Sequence, residues 1–513
     1  MSFVGLKNIK RNIKEIFNEI LELDSGIDEY KKMVQNPYIP SVAYVNWAVH
    51  LAEEGNFAEA EEKLVYSTLM AHQTPEAYIN LGLLKAKDKD FNSAMMFFSK
   101  AIRLDKNNSK AYCFLGNVLT ELNDFKEAEK QFKIAQKLEP NNSDVVLNWG
   151  LSLVRQKKPL LAREKFQQAC KLNISNFNAL FFWGLVELDL EELDKAREKF
   201  NLIISVMPNH SEAYYYLSYI DFKEKKYDQS LKSALKSLDL NKFKMETYMI
   251  IAENYMNLKD EQKSFEYYEK GEVQAQVNYH FYNSWGLSLQ GFGKFEESKE
   301  KFLKAIELND KNEFAYAYLG ISYYRTYNAE KAVEYFEKTL NLNFENTVAL
   351  QELGDINFER KNYQEAISYF EKVLKLSAKA IANYNKIANS YFLEKNFAKA
   401  NEYYKKAIEY QPLEIKPYID YSKALVEQGD YKEALRKISA AYKLNDKNMD
   451  CLNILFYVNY RLAKENLSDY NVEEAIKFAK IISDNYPDLF GYAKEKEELE
   501  EILNSKKSER QCR

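Results

Sequence analysis

The side chains that most often bind metals or act as nucleophiles are few in this sequence of 513 residues, and they lie far apart. No histidine has a second ligand at the spacing of a zinc site or belongs to a triad pattern; the histidines are His50, His72, His210 and His280. The cysteines fit neither a disulfide framework nor a zinc site, which favours a reducing compartment; they are Cys113, Cys170, Cys451 and Cys512. We therefore expect no catalytic residues, no metal ion and no cofactor.

Two other patterns bear a superficial likeness to active-site motifs. The run Gly291–Phe292–Gly293–Lys294 looks like part of a phosphate-binding loop, but it lacks the preceding strand, the spacing and the following Ser or Thr. The adjacent carboxylates Glu61–Glu62 and Glu296–Glu297 have lysines nearby, which is typical of a solvated helix face. These observations predict a protein that is not an enzyme.

The composition points to a helical protein. Hydrophobic residues make up 46% and charged residues 29% of the chain, with only 15 Gly and 9 Pro, which favours extensive regular structure. The net charge is −5, and the acidic and basic residues are interleaved, which argues against binding to a nucleic acid. We find no signal-peptide pattern and no apolar run long enough to cross a membrane, so we expect a cytoplasmic location and no membrane partner.

A period of 34 residues organises the chain, as the spacing of Gly82, Gly116, Gly150 and Gly184 shows. Twelve repeats follow without insertion, and they begin at Ser41, Pro75, Ser109, Ser143, Phe177, Ser211, Met245, Tyr279, Glu313, Thr347, Ile381 and Ile415. We number the places of each repeat from these residues. The residues at place 8 are all small: Ala48, Gly82, Gly116, Gly150, Gly184, Ser218, Ala252, Gly286, Gly320, Gly354, Ala388 and Ser422. Place 20 is always Ala or Ser.

Small residues at fixed places indicate two helices that approach closely, because a larger side chain there would overpack the contact by about 1–3 kcal/mol. Place 4 is usually Tyr and place 24 is mostly aromatic. Places 4, 7, 8 and 11 lie on one face of a first helix, and places 20, 24 and 27 on one face of a second. Each repeat is therefore predicted to be a helix hairpin, and the fold class to be all-α.

This combination of small and aromatic places resembles the tetratricopeptide repeat (TPR) over about four-fifths of the chain. The proline of the family at place 32 is present only as Pro140, Pro208 and Pro412. The resemblance implies an α-solenoid, a right-handed superhelix of about 12–13 TPR hairpins with capping helices at its ends. It also implies that places 2, 5, 6, 9, 12 and 13 face a groove, which in relatives commonly holds an extended peptide or a partner helix.

The expected organisation has four parts. Residues 1–40 form N-terminal capping helices that derive from a degenerate repeat, and residues 41–448 form the twelve tandem repeats. Residues 449–488 form an atypical thirteenth repeat with a longer first helix or turn, because Ala475 lies seven residues beyond the expected small place. Residues 489–513 form a C-terminal capping helix and a frayed tail.

The expected groove changes in character along the chain. Its early repeats offer asparagines, which can bind a peptide backbone, and its middle repeats offer aromatic rings, which often anchor partners. The candidate contact residues are Asn46, Asn80, Phe114, Asn148, Phe182, Tyr215, Tyr216 and Tyr219. The far end is polar and charged, with Gln351, Glu352, Asp355, Asn385, Lys386, Asn389, Asp420 and Lys423.

Two interpretations of these residues stay open. The aromatic residues either contact a partner or pack against the next repeat, and the asparagines either bind a peptide or reflect a composition rich in Asn, Lys, Ile and Tyr. The function favoured by the sequence is a non-enzymatic scaffold or adaptor that binds a protein or peptide. The alternative is a structural or regulatory subunit of a multiprotein complex, or a self-associating solenoid, that positions a separate enzyme.

Overall fold

The computed structural model describes residues 41–70, 74–377, 379–466, 469–485, 494–501 and 504. The chain divides into two compact parts, which we call the N-terminal module (Met1–Gln276) and the C-terminal module (Val277–Arg513). Throughout the described ranges the regular structure is helical, and thirteen hairpins follow one another along the chain. The predicted capping helices of residues 1–40 lie outside the described residues.

The helices come in pairs, each of which is one hairpin. The hairpins of the N-terminal module are Ser41–Glu53 with Phe57–Met70, Pro75–Lys87 with Phe91–Leu104, Ser109–Glu121 with Phe125–Leu138, Ser143–Arg155 with Pro159–Leu172, Phe177–Asp189 with Leu193–Val206, Ser211–Lys223 with Tyr227–Leu240, and Met245–Asn257 with Glu261–Gln274. Those of the C-terminal module are Tyr279–Gly291 with Phe295–Leu308, Glu313–Arg325 with Ala329–Leu342, Thr347–Glu359 with Tyr363–Leu376, Ala382–Leu393 with Phe397–Tyr410, Ile415–Glu427 with Tyr431–Leu444, and Met449–Asn466 with Asp469–Asn485. The predicted all-α solenoid fold is confirmed.

A tight turn at place 15 closes each of the twelve regular hairpins. The residue there always has a positive φ, and it is a glycine in only three hairpins, at Gly55, Gly293 and Gly429. Helices commonly end on such a left-handed residue. The run that resembles a phosphate loop is therefore this turn, because Gly293 has φ 77° between the two helices of its hairpin. Many second helices then begin with a side-chain cap, as when Asp90 accepts from the Ser93 amide.

The close approach within a hairpin follows a pairing rule between places 8 and 24. Each of the seven glycines at place 8 faces a phenylalanine at place 24, whereas the five hairpins with Ala or Ser at place 8 have another residue there. A Cβ atom at Gly354 would lie 2.5 Å from Cε1 of Phe370, and one at Gly150 would lie 2.6 Å from Cε1 of Phe166. The ring therefore fills the space that the missing side chain leaves.

Contacts between successive hairpins differ in the two modules. At three junctions of the N-terminal module, place 21 of one hairpin forms an ion pair with place 11 of the next. These pairs are Glu61 with Lys85, Arg163 with Glu187, and Arg197 with Asp221. In the C-terminal module, Lys299 at place 21 lies instead over the ring of Tyr323, 4.5 Å from its centroid.

The thirteenth hairpin has a first helix of 18 residues, Met449–Asn466, whereas the first helices of the preceding hairpins have 12 or 13. A further helical segment at residues 494–501 covers it. Leu499 of this segment is fully buried, and Glu498 accepts a hydrogen bond from the Tyr460 hydroxyl at 2.9 Å. The same carboxylate pairs with Lys464 at 2.9 Å. This segment therefore covers part of the apolar core of the thirteenth hairpin.

Candidate partner-binding wall

The first helices of successive hairpins lie side by side, and their side chains at places 5, 6, 9 and 12 form what we call the first-helix wall of each module. Places 9 and 6 of neighbouring helices are in contact. In the N-terminal module, the Asn117 side-chain amide donates to Oδ1 of Asn148 at 3.0 Å. In the C-terminal module, Nζ of Lys386 lies 2.6 Å from Oδ1 of Asp355. The wall of each module is thus a continuous surface.

Half-buried tyrosines mark the wall of the sixth hairpin. The Tyr215 ring makes an edge contact with Tyr216, with ring centroids 5.0 Å apart, and Nζ of Lys244 lies 3.9 Å from the Tyr215 centroid. Burial raises the pKa of the Tyr215 phenol, and nearby Tyr216 and Glu246 raise it further. Tyr219, one helical turn along, is also half-buried. Both tyrosines keep part of their surface available to a partner.

The three aromatic candidates at place 6 lie in the core between hairpins. Each is less than a tenth exposed, and each ring packs on the place 24 phenylalanine of the preceding hairpin. The pairs are Phe114 on Phe98 at 5.9 Å, Phe182 on Phe166 at 6.1 Å, and Tyr216 on Phe200 at 5.3 Å between ring centroids. Of the two interpretations left open by the sequence, the geometry favours packing for these three rings.

The asparagine candidates differ from one another. Asn148 is 6% exposed; its Oδ1 accepts from Asn117, and its amide donates to the Asp144 carbonyl at 2.8 Å. Asn80 is 5% exposed, among apolar residues of the first two hairpins. Asn46, in the first hairpin, is half-buried. Of the three asparagines, Asn46 therefore has the most side-chain surface available to a ligand.

The wall of the eleventh and twelfth hairpins, in the C-terminal module, carries a polar network. Asp420 accepts hydrogen bonds from the amides of Asn385 at 2.7 Å and Asn389 at 3.3 Å. The Tyr404 hydroxyl donates to Oδ1 of Asn389 at 2.6 Å. These side chains come from three successive helices, of which two are first helices. The network therefore links the eleventh and twelfth hairpins through hydrogen bonds where the N-terminal module uses rings.

Glu352 is the most exceptional carboxylate of this wall. It occupies place 6 of the tenth hairpin, is half-buried, and has no ion pair or hydrogen bond with any other described residue. Burial raises the pKa of its carboxyl group, and the neighbouring Asp355 carboxylate raises it further, while Arg325 and Lys386 act in the opposite direction. The chain therefore holds a carboxylate here without a partner of its own.

Comparison with known proteins agrees with the repeat. Three models of the family described as "Tetratricopeptide repeat" match the chain, at residues 75–108, 115–177, 147–205, 348–380 and 381–412. These matches fall on the hairpins in both modules. The chain is a tetratricopeptide-repeat protein. A search of curated proteins gave no match.

Solved structures similar to this TPR chain vary in length. YrrB, described as a TPR protein with an unusual peptide-binding site, is 26% identical, and the alignment covers 36% of this chain and 96% of YrrB, with TM-score 0.29. Yeast Tom70 is 16% identical over 85% of this chain and 99% of its own, with TM-score 0.40. A chain of the APC/C hetero-tetramer Cut9–Hcn1 is 12% identical, and the alignment covers 84% of this chain and 98% of that one, with TM-score 0.38.

Some residues of the TPR wall were not among the sequence candidates. Leu185, Phe222 and Met256 are half-buried apolar side chains at places 9 and 12 of the fifth to seventh hairpins. Their places belong to the set implied by the family, so the register alone was enough to include them. Within the described ranges, no group of His, Cys, Asp and Glu side chains is arranged to hold a metal ion. No helix in those ranges has both the length and the apolar character needed to cross a membrane.

Proposed function

We propose that this TPR chain is a non-enzymatic scaffold that binds a protein or an extended peptide along its first-helix walls. The observation that carries the proposal is the continuity of each wall, in which places 6 and 9 of neighbouring hairpins touch. The faces between hairpins are consumed by packing, as the buried place 24 rings show. The walls therefore offer side chains from several hairpins to one elongated partner.

Tyr215 and Tyr219 are the contacts that we propose for the N-terminal module. Aromatic side chains supply much of the binding energy at protein interfaces, and truncation of a central ring commonly costs about 2 kcal/mol or more. Both tyrosines are half-buried, so each ring is held in place while part of it faces outward. Half-buried Leu185 and Phe222 extend the apolar surface on either side.

Affinity purification from the native cell tests the proposal with the Tyr215→Ala/Tyr219→Ala variant. We expect the variant to lose the proteins that co-purify with the wild-type chain while its circular dichroism and melting temperature change little. The matched control is Leu160→Ala/Leu161→Ala, which truncates two exposed side chains of a second helix in the same module. Retention of every partner by the tyrosine variant, or its unfolding, would show that these rings are not a binding site.

A second candidate function is supported by the turns between hairpins. Large apolar side chains in four of these turns are more than three-quarters exposed: Ile174, Phe243, Phe344 and Leu413. Such side chains suit a structural or regulatory subunit that contacts other proteins, or a second copy, through the edge of the repeat stack. Light scattering of wild type and Ile174→Ser/Phe243→Ser tests self-association. A dimer that persists on dilution and is lost in the variant would favour this function over the first.

A further inference from the structure

The wall of the tenth to twelfth hairpins has more hydrogen-bond acceptors than donors. Its carboxylates are Glu352, Asp355 and Asp420. Of its two ammonium groups, Lys386 contacts both oxygens of Asp355, at 2.6 and 2.8 Å, and Lys423 pairs with Asp450 of the thirteenth hairpin. Among the described residues, Glu352 and Asp420 have no cationic group within ion-pair distance. Two negative charges on this wall therefore remain without a partner.

The side-chain amides around Asp420 do not remove this imbalance. Asn385 and Asn389 both give their amide hydrogens to Oδ2 of Asp420, and the Tyr404 hydroxyl is used by Asn389. Asn385 is only 6% exposed, and its Oδ1 has no hydrogen-bond donor. A buried acceptor without a donor costs about 1–3 kcal/mol. The surroundings of Asp420 and Asn385 thus lack both a hydrogen-bond donor and a positive charge.

The other lysine of this wall does not supply the missing donor or positive charge. Lys423, at place 9 of the twelfth hairpin, lies 3.3 Å from Asp450 in the thirteenth. Arg325 is exposed in the ninth hairpin and forms no ion pair with Glu352. The missing donor must therefore come from outside this group of side chains.

We infer that the first-helix wall of the tenth to twelfth hairpins binds basic side chains, lysine or arginine, of an extended partner segment, at Glu352 and at Asp420. The inference rests on the proposed function, since it names the chemistry of the partner that the wall holds. A lysine ammonium offers three donors and an arginine guanidinium five, and neither has an acceptor. A cationic side chain provides what the cluster lacks, whereas an acidic peptide would add to the excess of acceptors. The partner segment that reaches this wall is therefore basic.

Fluorescence anisotropy with labelled octalysine tests the inference on the full chain at about 0.15 M salt, where interactions between distant charges are screened. We expect octalysine to bind and octaglutamate not to bind. Glu352→Gln should weaken octalysine binding about three- to tenfold, as loss of one partly buried charge pair does. Glu352→Gln removes no hydrogen bond, so its melting temperature should match or exceed that of the wild type. Asp420→Asn, a second variant, should weaken binding to a similar degree.

The control variant is Glu307→Gln/Glu337→Gln, which removes two exposed carboxylates from second helices of the same module. Equal affinity of wild type, Glu352→Gln and the control would overturn the inference, as would equal weakening in Glu352→Gln and the control, because octalysine would then sense only net charge. Either result leaves the proposed function intact if Tyr215→Ala/Tyr219→Ala still loses its co-purifying proteins. If the tyrosine variant keeps its co-purifying proteins while Glu352→Gln selectively weakens octalysine binding, only the proposed tyrosine site is wrong.

Discussion

Parts of the two modules build their first-helix walls from the same places with different chemistry, although Tyr318 also stacks on Phe302 in the C-terminal module. In the N-terminal module, rings such as Phe182 and Tyr216 stack on the preceding hairpin, and in the C-terminal module amides and carboxylates around Asp420 connect the hairpins. The contacts between places 21 and 11 show the reverse difference, because the N-terminal module has ion pairs there, such as that of Arg163 with the buried Glu187. Places 8, 20 and 24 are packed alike in both. The repeat therefore needs only these small and aromatic places, and the others are free to carry specificity.

The largest expected effect comes from breaking the buried pair of the N-terminal module. Arg163→Met leaves Glu187, which is 1% exposed, without its cationic partner at 2.7 Å, and only the Trp183 indole N–H still donates to that carboxylate. Loss of one partner of a buried pair costs about 3–5 kcal/mol of the free energy of unfolding. In the C-terminal module, Lys299→Met at the same place removes a contact over the Tyr323 ring and a solvent-exposed ion pair with Glu296, and together these should cost about 1 kcal/mol. Urea unfolding of the full chain measures both.

Equal losses in these two variants would contradict the difference between the modules. The double variant Arg163→Met/Glu187→Leu provides a further check, because leucine is common at place 11 and an apolar pair can replace a buried ion pair with little change in stability. We expect the double variant to recover most of the loss.

The next effect should be the same in both modules. Gly150→Ala and Gly354→Ala each place a Cβ atom within 2.6 Å of a fully buried phenylalanine ring. The overpacking cost of about 1–3 kcal/mol exceeds the gain of about 1 kcal/mol that alanine brings to a helix. Thermal unfolding should therefore show a lower melting temperature for both variants.

The matched test of this explanation is Gly354→Ala in a Phe370→Leu background, which copies the pairing of Ala48 with Leu64 in the first hairpin. There the alanine should cost nothing or stabilise the chain. A large cost in both backgrounds would mean that the helix contact, and not the ring, excludes the side chain.

The sequence was sufficient for the fold because the hydrophobic and small places recur at a strict period, and each place has one packing task. It was not sufficient for the wall. Place 6 holds Asn46 in one hairpin and Phe114 in another, and the role of the residue depends on what the preceding hairpin presents. Phe114 is buried because Phe98 lies beneath it, whereas Glu352 is left without a partner because Lys386 is held by Asp355. Such contacts join the same places in each repeat, but the residue types that meet there differ from one hairpin to the next.

A smaller effect concerns a second pairing rule, between places 7 and 23. Each of the five hairpins with an aromatic residue at place 7 has lysine at place 23, and the other seven of the twelve repeats do not. The ammonium lies near the ring in each: Lys63 over Trp47 at 4.7 Å, Lys165 over Trp149 at 3.4 Å, Lys199 over Trp183 at 4.2 Å, Lys301 over Trp285 at 3.8 Å and Lys437 over Tyr421 at 5.5 Å. These distances suit a cation–π contact.

Double-mutant cycles measure this contact in each module. With Trp149→Leu and Lys165→Gln in one, and Trp285→Leu and Lys301→Gln in the other, we expect a coupling energy of about 1 kcal/mol in each. A coupling present in only one module would mean that the rule reflects local burial. Similar coupling energies in both modules would mean that the contact between places 7 and 23 belongs to the repeat itself.

The smallest change in stability is expected at the wall of the C-terminal module. There the informative measurement is the affinity for octalysine and not the free energy of unfolding. Lys386 and Asp355 are 39% and 33% exposed, so solvent screens their attraction and Lys386→Met should change the free energy of unfolding by less than about 1 kcal/mol. The variant nevertheless removes the ammonium that pairs with Asp355, so this carboxylate becomes available to a basic partner and octalysine should bind the variant more tightly than the wild type. Unchanged binding would mean that the Lys386–Asp355 pair lies outside the path of the ligand, and weaker binding would mean that Lys386 orients the carboxylates for it.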